Sequence, residues 1–338
     1  MRVSSDEKRS ALTRIDLKVA YRRVSFLRPF GWAPAGCIYF TQKWSPHLCR
    51  SSYSPRRSKT ESGTPPLRPG RHGITAVDGN QFGNAPESQQ YLVEGGLTYI
   101  GDLHNLFSGI WAAGLKTAES IRTGTPVEKH DFSRMAPEHL EGFFRALHFE
   151  ALGIGCQLAE RPEFTSYRSL LDVGGGSGGV GISLVESLPH VNATIVDLPE
   201  ILPIIKRYIS ETGVSDRVST LANDVTRDPI DGEYDAAIMK SFIQTLSQEQ
   251  ANQAVRNVAA ALKSGGRLFI MGNGILDDSR VSPPDTATFN IGFLGVYDEG
   301  RAYTEGEYRS IVEQAGLVEF AREIDTDGDS LITARKPS

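Results

Sequence analysis

Six glycines fall within the twelve residues LLDVGGGSGGVG at positions 170–181, directly after an apolar run. Gly174, Gly176 and Gly179 satisfy the spacing G-x-G-x-x-G between a predicted strand and a predicted helix. Glycines at such a turn let the backbone approach a ligand closely, and the amide N–H groups at the start of the helix point at that ligand. Because strand and helix patterns adjoin the loop on both sides, the stretch is predicted to bind a nucleotide cofactor rather than to serve as a flexible linker.

Three aspartates distinguish between the cofactors that such a loop can bind. Asp172 ends the strand before the glycines, Asp197 ends the next strand, and Asp224 follows the third. Asp197 can accept hydrogen bonds from ribose hydroxyls of either NAD or S-adenosylmethionine. Asp172 would repel a pyrophosphate but suits a sulfonium and an ammonium group, and Asp224 can accept a hydrogen bond from an adenine amino group. The pattern favours S-adenosylmethionine, and an NAD-dependent oxidoreductase is the alternative on the glycine loop alone.

Further motifs follow in a fixed order along the chain. They read LLDVGGGSGGVGISLVESLPHVNATIVDLPEILP, LANDV, AAIMKSFIQTLSQEQ and GGRLFIMGNGILDD. Together they closely resemble the small-molecule O-methyltransferases, the family of plant caffeic-acid-type enzymes, acetylserotonin methyltransferase and bacterial carotenoid and antibiotic methyltransferases. The resemblance covers about residues 80–336.

The resemblance implies cofactor contacts at particular positions. Asp172 and Gly174 would line the methionine part of S-adenosylmethionine, and Asp197 would hold the ribose hydroxyls. Asp224 with Val225 would hold the adenine, and Lys240 would contact the cofactor near its methionine part. Alternatively, Asp224 could be a turn residue and Lys240 a surface lysine. The expected cofactor-binding residues are Asp172, Gly174, Gly176, Asp197, Leu198, Asp224, Val225 and Lys240.

The sequence departs from the resemblance at the catalytic base. In the resembling enzymes a histidine four residues after the lysine removes the proton of a phenol, and two glutamates steady it. Here Gln244 stands at the position of that histidine, and the glutamate positions fall at about Asn273 and Ala302. An amide does not accept a proton at neutral pH, so Gln244 is expected to orient the substrate by hydrogen bonding.

Three interpretations therefore stay open. The first is methylation by proximity of a nucleophile that needs little activation, such as an acidic phenol, an enolised polyketide, a ring nitrogen or an activated carbon. In it, His148 or Tyr297 could supply a base, although core packing is the commoner role for His148. The second is other chemistry with the same cofactor, such as hydroxylation. The third is a protein that binds the cofactor without catalysis.

Aromatic residues of two predicted helical regions are expected to enclose the substrate, in line with the resemblance. The aromatic content of these two regions suits a flat, largely apolar ligand. The expected substrate contacts are Phe144, His148, Phe289, Asn290, Phe293 and Tyr297.

Alternating strand and helix patterns after residue 168 predict the elements that position these residues. The strand candidates are SLLDV, ATIVD, VSTLAND, YDAAIM and RLFIMG, and the helix candidates are 178–188, 199–211, 248–263 and 305–315. Ser247 with Gln250, and Thr304 with Glu307, predict capping boxes. The fold class is α/β: a Rossmann-like doubly wound sheet that ends in an antiparallel hairpin of LVEFAREI and SLITARK.

Three segments are predicted along the chain. Residues 1–72 are basic and rich in Ser, Arg and Pro, a composition that does not bury enough surface to order itself. Residues 73–165 are read as a remnant of a winged-helix domain followed by helices for dimerisation and substrate binding, so a homodimer is expected. Residues 166–338 form the predicted cofactor domain.

Charge and composition exclude several classes of partner. Residues 1–72 hold 15 basic and 4 acidic residues, and the remainder holds 21 basic and 37 acidic ones. The acidic remainder is a poor surface for binding nucleic acid. No apolar run reaches the roughly 18 residues that a membrane-spanning helix needs. Three cysteines without a CxxC motif predict neither a metal site nor a disulfide framework and fit the cytoplasm.

Overall fold

The computed structural model describes residues 68–69, 75–78, 81–84, 86–94, 99–272, 274–324 and 329–338. The predictions for residues 1–67 and for Asn273 lie outside these residues. The described residues through Gly101 fall in one compact unit, and Asp102–Ser338 belong to a second.

The first unit contains a small antiparallel sheet. Its strands are β1 (Arg68–Pro69), β2 (Thr75–Asp78) and β3 (Gln81–Asn84), in that spatial order. β2 and β3 form a hairpin in which Asp78 lies opposite Gln81. The short helix α1 (Pro86–Tyr91) follows. These elements lie in the region where the sequence predicts the end of a winged-helix domain.

The second unit begins with three helices. They are α2 (Leu103–Leu115), α3 (Thr117–Thr123) and α4 (Pro137–Ala159). Gly124 ends α3 with φ +68°, a left-handed conformation that glycine adopts readily. The start of α2 is joined to α4 by a bidentate ion pair, in which Arg145 donates to the two carboxylate oxygens of Asp102 at 2.5 and 2.8 Å.

A seven-stranded sheet follows. In chain order the remaining strands are β4 (Ser169–Val173), β5 (Asn192–Asp197), β6 (Val218–Ala222), β7 (Tyr234–Lys240), β8 (Leu262–Met271), β9 (Ile275–Leu276), β10 (Tyr303–Thr304), β11 (Val318–Ile324) and β12 (Ser330–Arg335). The order in the large sheet is β11-β12-β8-β7-β4-β5-β6, and β9 pairs with β10 separately. β4 to β8 are parallel, whereas β12 and β11 are antiparallel. The predicted doubly wound sheet with a terminal hairpin is confirmed.

Helices connect these strands and cover both faces of the sheet. They are α5 (Gly179–Ser187), α6 (Leu202–Ser210), α7 (Gln248–Ala261), α8 (Pro284–Val296) and α9 (Glu305–Gln314). α7 and α9 both begin with the predicted capping boxes. Among the described residues, no helix is long and apolar enough to cross a membrane.

The central strand β4 is buried on both faces. Leu171 and Val173 pack with Val255 of α7 in one apolar cluster, and Leu170 packs with Leu184 of α5 in the other. A strand buried on both sides reads as a continuous apolar run. β4 pairs with β5 on one side and with β7 on the other, so the order of the strands in the sheet reverses at β4. A crevice for ligands is expected at such a point, at the carboxyl ends of β4 and β7.

Candidate active site

The three predicted aspartates lie at one edge of the sheet. β4, β5 and β6 are adjacent and parallel, with Val173 opposite Val196 and Asp197 opposite Ala222. Asp172, Asp197 and Asp224 therefore follow one another across the carboxyl ends of three neighbouring strands. This is the arrangement that one adenosyl ligand lying across the strands would require.

The glycine loop has a backbone that other residues adopt poorly. Gly174, Gly176 and Gly178 have φ values of +62°, +61° and +78°, in the left-handed region. Side chains also approach the loop. A Cβ atom on Gly174 would lie 2.4 Å from the ring of Phe242, and one on Gly176 would lie 2.9 Å from the ring of Phe144. The loop therefore fixes two aromatic rings against its backbone.

Two buried carboxyl groups flank this loop. Asp172 is 1 % exposed and accepts a hydrogen bond from the amide of Gly181 at 2.9 Å. Burial raises the pKa of Asp172 to about 7, although that amide opposes the shift. Asp197 accepts from the amides of Gly176 and Leu198 at 2.8 Å each, and burial raises its pKa to about 6. Burial thus favours the protonated form of both carboxyls, and a cation placed beside them would favour their ionised forms. Two carboxylates in this place fit a ligand with a sulfonium and an ammonium group.

Asp224 has local partners. Its Oδ1 accepts hydrogen bonds from the amide and the hydroxyl of Thr226 at 3.1 and 2.6 Å, and its Oδ2 lies 3.3 Å from Nε of Arg227. These contacts close a turn after β6. Val225 is buried. Asp224 is thus a turn residue in this structure, and its contact with adenine stays a prediction.

Lys240 is not a solvated surface lysine. Its ammonium group lies 2.9 Å from Oε2 of Glu150 on α4, and the two side chains are only 12 % and 11 % exposed. This ion pair joins the end of β7 to α4. It places one positive and one negative group in the wall of the adjacent cavity.

That cavity has apolar walls and a polar floor. Its empty volume is about 710 Å³, open solvent at the mouth included. The apolar walls come from α2, α4 and α8, with Leu106, Phe107, Ile110, Phe143, Leu147, Phe289, Phe293 and Val296. The polar and titratable lining residues are His130, Glu150, Lys240, Ser241, Gln244 and Tyr297. Such a lining suits a flat aromatic molecule that carries a few polar groups.

Half of the expected substrate contacts line this cavity. Phe289, Phe293 and Tyr297 do so, as expected. Phe144 lies outside the lining because its ring covers the glycine loop. Asn290 also lies outside it, because its side-chain oxygen accepts a hydrogen bond from the amide of Ala302 at 2.8 Å.

His148 differs from its expected place. Its Nδ1 lies 2.9 Å from the hydroxyl of Ser177 in the glycine loop, and its ring stacks on Tyr208 at 3.8 Å. Burial, with a smaller effect of Arg207, lowers the pKa of His148 to about 4. His148 is not among the cavity-lining residues. It supports the loop, because α4 packs against α5 and turns this side chain towards the cofactor side.

Gln244 lies at the floor of the cavity. It belongs to the short turn Ile243–Thr245 after β7 and is 6 % exposed. A Cβ on Gly274 would lie 2.5 Å from Cβ of Gln244, so the chain packs closely around the amide. Ala302, at the expected position of one glutamate, is buried.

His130 is a further residue of the site, and no motif in the sequence marks it. This residue lies in the loop between α3 and α4 and lines the cavity. No hydrophobic period marks it, because it belongs to no helix or strand. Only contacts between distant segments bring it to the cavity, and its backbone amide donates to the carbonyl of Val296 at 2.9 Å.

Residues 127–318 match the model of the O-methyltransferase domain. The chain belongs to this family of S-adenosylmethionine-dependent methyltransferases, which confirms the resemblance seen in the sequence and the expected cofactor. The family also decides between the two cofactors that the glycine loop left open.

Individual relatives act on different atoms. The chain is 29 % identical to the 3-hydroxy-5-methyl-1-naphthoate 3-O-methyltransferase of Streptomyces sahachiroi, over 73 % of this chain and 72 % of that protein. It is 28 % identical to the N,N-dimethyltransferase OxyT of Streptomyces rimosus, over 78 % and 79 %. Human N-acetylserotonin methyltransferase in complex with SAM has the same fold, with a TM-score of 0.64 and 18 % identity over 78 % and 79 %.

Proposed function

We propose that this chain methylates a hydroxyl group of a flat aromatic or polyketide-like molecule. The observation that carries the proposal is the aromatic-walled cavity, whose polar floor residues Ser241 and Gln244 flank Phe242, the residue whose ring lies against Gly174 of the glycine loop. The printed activity of the naphthoate methyltransferase supports a substrate of this class.

The chain's own residues have defined tasks in this proposal. Bound S-adenosylmethionine supplies a methyl group activated by a sulfonium. Asp172 and Asp197 would hold its cationic and ribose parts, with the amides of the glycine loop around them. Phe143, Phe289 and Phe293 would exclude water and hold the acceptor ring in the cavity. Orientation of this kind can supply roughly 7–11 kcal/mol of a barrier.

Gln244 would orient the acceptor. Its amide lies in the cavity floor beside Lys240 and Ser241, and an amide can both donate and accept hydrogen bonds. It cannot take the proton of a hydroxyl at neutral pH. We therefore assign Gln244 to binding and orientation, and O-methylation proceeds without a histidine at this position.

N-methylation is the second candidate, and the relative OxyT supports it. An amine acceptor differs from a phenol because it attacks in its neutral form and loses its proton afterwards. Direct comparison of matched acceptors therefore separates the two functions.

The test begins with calorimetry of the purified chain with S-adenosylhomocysteine and with NADH. Binding of the first and not of the second is expected. The acceptors 3-hydroxy-5-methyl-1-naphthoate, its 3-amino counterpart and simple phenols are then incubated with S-adenosylmethionine, and products are detected by mass. Methylation of hydroxyls supports the proposal, methylation of amines alone supports the second candidate, and binding of S-adenosylhomocysteine with no product from any acceptor overturns both.

We also propose that the second unit forms a homodimer. α2, α3 and α8 carry exposed apolar side chains: Leu115 is 75 %, Ile121 67 % and Leu294 48 % exposed. α2 and α8 pack closely, because a Cβ on Gly295 would lie 2.9 Å from that of Ala113. Apolar side chains gathered on neighbouring helices are typical of an interaction surface.

A further inference from the structure

We infer that His130 is the base that takes the proton of the acceptor hydroxyl. This inference rests on the proposed O-methylation and assigns to a loop residue the task that the family gives to the histidine at the position of Gln244. Four observations carry it: the place of His130 in the cavity, the packing of its ring, its unpartnered nitrogen and the occupation of the other candidate groups.

The loop that carries His130 is fixed to the end of α8. The amide of Glu128 donates to the carbonyl of Gly295, and the amide of His130 donates to the carbonyl of Val296, each at 2.9 Å. Two parallel anchors of this kind hold the backbone next to the cavity wall. The backbone of His130 is therefore held beside the cavity wall that α8 forms, and the residue lines that cavity.

Aromatic neighbours hold the imidazole ring itself. Phe143 meets it edge-on at 5.4 Å with an interplanar angle of 79°, and Tyr297 meets it at 5.8 Å and 90°. Phe132 lies 6.3 Å away on the same side of the site. Phe143 in turn contacts Phe144, whose ring covers Gly176. Two ring contacts, through Phe143 and Phe144, thus connect the imidazole of His130 with the glycine loop.

Nδ1 of His130 is buried and has no hydrogen-bond partner among the described residues. A buried polar atom without a partner destabilises the fold, and most such atoms in folded proteins are paired. Since Nδ1 has no accessible surface of its own, Nε2 is the nitrogen that an acceptor hydroxyl in the cavity would approach.

The protonation state of His130 suits a proton acceptor. Burial lowers the pKa of His130 below 6.5, and the carboxylate of Glu128 opposes this only in part. Glu128 is itself paired with Lys116. At pH 7 the imidazole is therefore neutral and able to accept a proton.

The other charged groups near the ring are already paired. Lys129 lies 2.5 Å from Asp298, and Asp131 accepts a hydrogen bond from the hydroxyl of Ser133 at 2.6 Å. Neither residue lines the cavity. Neither Lys129 nor Asp131 therefore forms an ion pair with the imidazole of His130.

The remaining titratable groups of the cavity are poorer bases. Burial raises the pKa of Tyr297 to about 12, so the phenol keeps its proton. Glu150 is engaged by the ammonium group of Lys240 at 2.9 Å. His148 lies outside the cavity lining and contacts Ser177. Among the described lining residues, His130 is the neutral base without a partner.

The proton and electron balance of the step is simple. The O–H bond of the acceptor breaks and an N–H bond forms on His130, which becomes an imidazolium. The electron pair left on oxygen forms the new bond to the methyl carbon as the bond from that carbon to sulfur breaks. The imidazolium then releases its proton to water when the product leaves.

The first test compares His130→Asn with His139→Asn, a control at an exposed histidine on α4. Asparagine keeps a polar side chain of similar size but cannot take a proton. With 3-hydroxy-5-methyl-1-naphthoate as acceptor, kcat at pH 7 is expected to fall roughly 10²–10⁴-fold in His130→Asn and to stay unchanged in the control. The remaining activity should rise about tenfold per pH unit, because hydroxide ionises the acceptor instead.

A second readout does not depend on turnover. In the wild-type chain labelled with ¹⁵N-histidine, the imidazole resonance of His130 should shift when the naphthoate is added together with S-adenosylhomocysteine, while that of His139 should not. This measurement also covers the case in which His130→Asn fails to fold.

The outcomes separate this inference from the proposed function. Hydroxyl methylation with an unchanged rate and pH profile in His130→Asn overturns the inference and leaves the function standing. A shifted His130 resonance without any methylated product overturns the function, while the contact between His130 and the acceptor stands. A resonance that does not move, together with no product, overturns both.

Discussion

At the scale of single residues, the cavity floor explains how a glutamine can stand at the position of a catalytic histidine. Gln244 is buried beside Lys240 and Ser241, where its amide can hold a substrate oxygen. His130 reaches the same cavity from a loop far away in sequence. In the proposed mechanism, binding and proton transfer, which one histidine would combine, are divided between two residues.

Gln244→His should restore a base at the floor of the cavity. We expect at least a tenfold gain in kcat when it is introduced into His130→Asn, and a changed pH profile in the wild-type background. Gln244→Asn, which keeps the amide, is the control and should give no gain. Unaltered kinetics in both backgrounds would mean that residue 244 lies away from the reacting atom.

Asp172→Asn should have opposite effects on binding and on stability. The asparagine oxygen can still accept from Gly181, but the negative charge is lost. Affinity for S-adenosylhomocysteine, which carries an ammonium group, should fall roughly 10–100-fold at pH 8. Asp231→Asn, at an exposed position, is the matched control, and equal affinities of the two variants would contradict the assignment.

The stability effect of Asp172 follows from the sign of its shift. Its pKa is raised to about 7 and that of Asp197 to about 6, both by burial. The folded chain therefore binds more protons than the unfolded one, and the stability of the cofactor-free protein should decline as pH rises from about 4 to 7. In Asp172→Asn the decline should be smaller, so its Tm should exceed that of the wild type at pH 8.

At the scale of elements, the ion pair between Glu150 and Lys240 joins α4 to the end of β7. Removing one partner leaves a buried charge, which costs about 3–5 kcal/mol, whereas replacing both by apolar residues costs much less. Glu150→Gln should therefore lower the Tm more than the double substitution Glu150→Leu with Lys240→Met. Thermal unfolding of Glu150→Gln, of the single variants Glu150→Leu and Lys240→Met and of the double variant checks this, and strict additivity of the last three would show that the pair is not coupled.

Most elements that position the site were predictable because their patterns are local. SLLDV became β4 with unchanged bounds, and helix 248–263 begins at its capping box as Gln248–Ala261. The apolar spacing of residues 98–124 is helical, but it does not show that the segment divides into α2 and α3 at Lys116. The amide of Lys116 bonds to the carbonyl of Ala113 there, a local tightening that apolar spacing does not reveal.

The site itself was only partly predictable. The aspartates follow from strand ends, since parallel strands bring their carboxyl ends to one edge. His130 and His148 could not be placed in this way. The first depends on hydrogen bonds between its loop and the end of α8. The second depends on the rotation of α4 against α5, which decides that its ring faces Ser177 rather than the cavity.

At the scale of the whole molecule, two of the three helices with exposed apolar residues, α2 and α8, also form walls of the cavity, and α3 packs against α8. A partner on this surface would stabilise the wall that carries Phe107 and Phe293. Dimer formation and acceptor binding should then be linked, because both stabilise the same arrangement of this wall.

Leu115→Lys with Ile121→Lys should shift the chain from dimer to monomer in size-exclusion chromatography with light scattering. A lysine in an apolar interface must either lose its hydration on burial, which is costly, or hold the two subunits apart. The dimer dissociation constant should therefore rise at least tenfold. Val281→Lys, at an apolar position that is equally exposed at 67 %, is the control and should leave the dimer intact. The monomeric variant should bind S-adenosylhomocysteine normally but bind the naphthoate more weakly. A wild-type chain that is monomeric at high concentration would contradict the proposed dimer.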